Sequence, residues 1–156
     1  MKRATWICSF LASALFSLQS DAQIQGATVK ERADVLELAS DEPSQVAKRS
    51  LPGVHYPAVV RRCFERDQKS FRNLFALSAY TDAAASETQS AILAIVLKQV
   101  GDDFFAAQLA SAPKTAREAS IALLRYELLE QTPTPHGMNL KRYPKTMRLL
   151  KVEGRK

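Results

Sequence analysis

The sequence predicts an all-α fold, a small helical bundle preceded by a signal peptide and a disordered linker and followed by a basic C-terminal tail. Three observations predict it. Apolar residues recur at helical spacing from Val59 onward. The residues interrupting them are of the kinds that start and stop helices. No segment shows sustained strand alternation flanked by turn signals.

The elements follow in chain order. Lys2 and Arg3 supply a positive start and Trp6 to Leu18 an apolar run. Ser20-Asp21-Ala22 places small residues where a signal peptidase cuts. That run is too short to span a bilayer as a helix, so residues 1–22 read as a signal that is removed. Residues 23–56 are polar and broken by Gly26, Asp41-Glu42-Pro43, Ser44, Ser50 and Pro52-Gly53. They read as a disordered linker with at most one short helix near Val29–Leu38.

Residues 57–131 carry the expected helical domain. Val59, Val60, Cys63 and Phe64 share a helical period, which Phe71, Leu74, Phe75 and Ser78 continue. Ser86 with Gln89 reads as a capping box opening the apolar helix Ala91–Leu97, which should be the buried centre. Gly101 suits the position after that helix, and Asp102 or Asp103 is placed to cap the next, Phe104 to Ser111. Pro113 breaks it. Thr115 with Glu118 reads as a second capping box, with Ala119, Leu123 and Tyr126 following on one face, and Thr132-Pro133-Thr134-Pro135 ends the domain. Two such capped hairpins fall short of the three that repeat arrays need.

Once the signal is removed with Cys8 and Trp6, Cys63 is the one cysteine and no tryptophan is left. The domain must therefore hold by packing alone, or work in a reducing place. Charge is unevenly placed. Residues 1–140 are balanced, whereas 141–156 carry Lys141, Arg142, Lys145, Arg148, Lys151, Arg155 and Lys156 against Glu153, the whole net +6 of the chain.

Few residues suggest chemistry. Cys63 lies between Arg62 and Arg66, which can activate a thiol, but shares a face with Val60 and Phe64, where a small buried residue is expected. His55 and His136 have no partner at ligand spacing. No nucleophile elbow is present, and Asp102-Asp103 reads as a helix cap and not a carboxylate pair. The sequence therefore predicts a protein that is not an enzyme, with no cofactor and no small-molecule substrate. The tail is more suggestive. Tyr143, Met147 and Leu150 form a stripe with Lys145, Arg148, Lys151 and Arg155 largely off it. Such a helix can bind anionic lipid, an acidic protein groove or nucleic acid, can serve nuclear import, or can simply pack its stripe on the bundle. Lys48-Arg49, Arg61-Arg62, Lys141-Arg142 and Arg155-Lys156 admit a further reading as precursor cleavage sites, although cutting there would leave a long capped bundle and not short peptides.

Arg49-Ser50-Leu51-Pro52 resembles a degenerate form of the Arg-x-Leu-Arg motif of oomycete RxLR effectors, at the family's usual place past the signal. Phe64-Glu65-Arg66 matches the last two residues of that family's acidic Glu-Glu-Arg motif. Val100-Gly101-Asp102-Asp103, running into Ala106-Ala107-Gln108-Leu109, Ala112, Thr115 and Ala119, resembles the helical unit of the WY-type effector domains. The chain departs from the family in lacking the final Arg, the full acidic motif and any tryptophan after the signal. The resemblance implies a pathogen protein that is secreted, enters plant cells, acts in host nucleus or cytoplasm, and suppresses defence or programmed cell death by binding a host protein. Arg49–Pro52 with Glu65 and Arg66 would then serve translocation, with anionic lipid a possible partner during entry. The alternative is a secreted helical protein whose basic tail binds an anionic surface.

Overall fold

Short polar side chains and glycines set the helix ends of this chain, because the first amides and last carbonyls of a helix need partners from outside it. The computed structural model describes residues 26–131 and 141–152. Helix α1 (Val29–Leu38) opens on a reciprocal capping box between Thr28 and Glu31. Helix α2 (Glu42–Ser50) carries Pro43 in its first turn, where the missing N–H is harmless. A tight turn follows, with the Val54 amide donating to Leu51 O at 3.1 Å and Gly53 at φ +79°.

Helix α3 (Tyr56–Phe64) turns into α4 (Gln68–Ser78), whose N-cap Asp67 accepts from the Ser70 amide and hydroxyl at 3.2 and 2.6 Å. Helix α5 (Ala83–Val100) is capped by Asp82 and ends at Gly101, where φ is +85°. Then come α6 (Asp102–Ser111), α7 (Lys114–Arg125) with a π-helical turn over Tyr126–Gln131, and α8 (Pro144–Val152). Among the described residues all regular elements are helical, so the fold is all-α.

Helix α5 is the axis, packed against α1, α2, α3, α4, α6, α7 and the π turn. Ile92, Leu93, Val96, Leu97 and Val100 are buried while Ala94 and Ile95 are half-buried. The expected apolar centre is therefore there. Phe71, Phe75, Phe104 and Phe105 form an aromatic cluster at the α4–α6 contact, with Phe105 edge-on to Phe71 and Phe75 at centroid distances of 6.1 and 5.5 Å. A buried polar chain crosses the same core. Tyr56 donates to Gln89 Oε1 at 2.5 Å, Gln89 Nε2 donates to Leu74 O and Ser78 Oγ, and Ser120 donates to Ser78 at 3.0 Å.

Several expectations are corrected. Residues 27–54 are not a disordered linker: α1 matches the single helix expected, but α2 is a second one, and both pack on α5 with Val35, Ala39, Val46 and Ala47 buried. Small residues suffice there because the partner surface on α5 is already large and apolar. Ser86 and Gln89 do not open α5, which starts a turn earlier at Asp82, so Gln89 lies inside the core. Thr115 and Glu118 form no capping box; α7 begins behind Pro113, and Glu118 pairs with Lys114 at 3.6 Å. Asp102 and Asp103 do not cap α6, whose N-cap position is Gly101. The tail is not separate from the domain either, since α8 packs on α6 and α7.

Candidate functional site: a polar junction around Gly101

Three chain segments meet where α5 ends. The first is the α3–α4 turn. Arg66 holds φ 63°, a left-handed conformation unfavourable for a residue with a Cβ. Its amide donates to Cys63 O and that of Asp67 to Arg62 O, the paired bonds of a Schellman ending with Arg66 in the usual glycine place. This backbone twist aims the side chain at α5. Arg66 Nη2 donates to Val100 O at 2.9 Å and the guanidinium lies 5.5 Å from the Phe104 ring centroid. A cation thus meets the negative end of the α5 dipole and an aromatic face at once.

The second segment is Asp102-Asp103. Asp102 is buried, and its carboxylate accepts from the amides of Lys145 at 2.6 Å and Thr146 at 2.7 Å. It is the N-terminal cap of α8, supplied from another helix. Exposed Asp103 pairs with Lys145 Nζ at 2.9 Å. Both carboxylates therefore sit at the positive end of the α8 dipole.

The third is α8 itself with the two residues before Tyr143. Tyr143, Met147 and Leu150 are buried against the bundle, and burial raises the Tyr143 hydroxyl above its ordinary value. Lys141, Arg142, Lys145 and Arg148 are exposed, with the Arg142 guanidinium 5.5 Å from the Tyr143 ring centroid. Beside them Lys98 on α5 donates to Glu31 on α1 at 2.6 Å. That bond, with the Thr28 amide, holds the Glu31 carboxyl down at about 2.

The residues singled out from the sequence are thus partly brought together. Arg66 lies at the junction and Glu65 is the exposed C-cap of α3. Lys141, Arg142, Lys145 and Arg148 line one side, Lys151 lies in the last turn of α8, and Arg155 and Lys156 fall outside the described residues, as do residues 1–22, Thr132–Pro135 and His136. Arg49 and Ser50 end α2, half-buried Leu51 packs on the core, and Pro52 opens the following turn. None of these four takes part in the junction's hydrogen bonds or ion pairs. Cys63 is fully buried, and burial pushes its thiol far up, so it is a core residue and not a reactive one.

Chemically the junction is suited to holding and presenting charge. Its carboxylates are occupied by backbone amides or cations, and among the described residues no group of three His, Cys, Asp or Glu is placed to hold a metal. Sequence reasoning missed the role of Asp102. A signal existed: Pro144 marks a helix start, yet Tyr143 before it has no side chain that can cap, so α8 needed an acceptor from elsewhere. Among the described residues no helix is long and apolar enough to cross a membrane. Comparison with protein-family models, curated proteins and solved structures returns no match.

Proposed function

We propose that this protein is a secreted, non-enzymatic effector of the RxLR type that enters plant host cells and suppresses defence or programmed cell death by binding a host protein. The observation that carries the reading is the order along the chain: a signal-like start, Arg49–Pro52, then the Val100–Asp103 turn leading into α6. A core that closes around a reduced, buried Cys63 supports it, because such a fold loses nothing on entering a reducing cytosol.

The test is expression of residues 23–156, fluorescently tagged, in leaf cells together with a cell-death elicitor. Suppressed death, with signal in nucleus or cytoplasm, is the expected result. Undiminished death in cells that accumulate the protein overturns it. Delivery is tested with Arg49→Ala alone, since Leu51 packs on the core and its loss would alter the fold as well as the motif. Nuclear accumulation is tested by charge-neutral replacements in the tail. Ending the chain at Leu140 would instead strip α8 from the bundle and expose its binding surface.

A further inference from the structure

We infer that the outward side of α8, with the two residues that precede Tyr143, is a preorganised docking strip for an acidic segment of a partner protein. The partner class rests on the reading above that the chain acts by binding a protein; the surface rests on the structure. The segment 141–152 carries five cations and no acidic residue. Tyr143, Met147 and Leu150 are turned inward, at 5%, 2% and 1% exposure, and Leu149 is half-buried. Capping by Asp102 and the pairing of Asp103 with Lys145 hold the helix start in place. Lys141 and Arg148 are exposed, and among the described residues they have no carboxylate partner.

The same facts select the partner. A membrane-surface helix buries its apolar face in lipid, and here that face is occupied by the bundle. The strip is short: its helical part has nine residues and so is about 13 Å long at 1.5 Å per residue. Exposed Asp103 stands within it, and outside the tail the body has no cationic excess. A polyphosphate backbone or an anionic bilayer would meet that carboxylate. A short acidic helix or loop can instead pair with the exposed Lys141 and Arg148, which Asp103 leaves to a partner because it is already held by Lys145. Affinity would then be electrostatic and would weaken as salt rises.

The test uses residues 23–156 and a fluorescein-labelled poly-glutamate peptide of about 20 residues, read by anisotropy at about 50 mM salt. The expected result is that Lys141→Glu with Arg148→Glu weakens binding about tenfold or more, while Lys141→Arg with Arg148→Lys binds like the unaltered chain. Circular dichroism verifies the fold, and Lys141→Gln with Arg148→Gln replaces the reversal if that variant does not fold. Equal binding by the unaltered and charge-altered chains overturns the proposal, as does absence of peptide binding. So does tighter capture by duplex DNA or phosphatidylserine vesicles at equal negative charge. Because this readout needs no host cell, its failure is distinct from a failure to suppress cell death in leaves.

Discussion

Asp102 caps a helix that begins more than forty residues after it: its Oδ1 accepts the amide of Thr146 at 2.7 Å, and its Oδ2 that of Lys145. The bond makes the α5–α6 turn and the start of α8 one unit. It also explains a buried carboxylate with no arginine or lysine on it among the described residues, since the helix N-terminus supplies the positive potential.

Asp102→Ala is therefore expected to destabilise the fold by about 1–2 kcal/mol, the upper part of the range for lost helix caps. Asp103→Ala should change stability by less than about 0.5 kcal/mol, because its ion pair is exposed. Urea melts of the two variants check this. Equal losses would mean that the cap contributes no more than a surface charge.

Arg66 is held in a glycine-like conformation while its side chain makes two contacts. Both Arg66→Ala and Arg66→Gly lose those contacts, but glycine also relieves about 1 kcal/mol of left-handed strain. Arg66→Gly should thus be the more stable variant by about that amount, read from denaturant midpoints. The reverse order would show that the backbone there is not strained. Any translocation defect of an Arg66 variant must be compared with this loss of stability.

Gln89 and Tyr56 are fully buried and satisfy one another. Gln89→Leu strands the Tyr56 hydroxyl and should cost about 2–3 kcal/mol; Tyr56→Phe strands one Gln89 acceptor and should cost about 1–2 kcal/mol. The double variant should cost clearly less than both together, since the unpaired groups vanish as a pair. Strict additivity in a double-mutant cycle would count against the coupling.

Glu31 gives a pH dependence with a definite sign. Its folded pKa is depressed from 4.5 to about 2, first by Lys98 and then by the Thr28 amide. The stabilisation is present above about pH 4.5 and is lost as pH falls toward 2. The pair is partly exposed, so solvent screening limits the effect to about 1 kcal/mol. Glu31→Gln should be less stable than the unaltered chain at pH 7, and the gap should narrow as pH falls from about 4.5 toward 2, by thermal melts across that range. A gap that stays constant between pH 7 and pH 2 would assign the loss to packing instead of charge.

Much of the fold was legible in the chain, and each failure has a physical cause. The periods of Val59–Phe64 and Phe71–Ser78 located α3 and α4, and Gly101 and Pro113 located two helix ends. The stop at Gly101 works because only a residue without a Cβ takes φ +85° freely. Helix α2 was missed because Val46 and Ala47 are too few and too small to signal burial without knowledge of α5. The capping boxes at Ser86 and Thr115 were misplaced because an equally good acceptor, Asp82, lay upstream in one case and a proline in the other.

By itself, then, the sequence determined the all-helical class, the central apolar helix, the burial of Cys63 and the concentration of positive charge after residue 140. These follow from local propensity, helical period and composition, which act within a few residues. Only the tertiary structure decided that Asp102 would cap α8, that Arg66 would reach the end of α5, that Gln89 would be an interior hydrogen-bond hub, and that the tail's apolar stripe would face the bundle and leave Lys141, Arg142, Lys145 and Arg148 exposed. Each of these pairs groups distant along the chain, and their partners are set by which helix ends and faces the packing brings together.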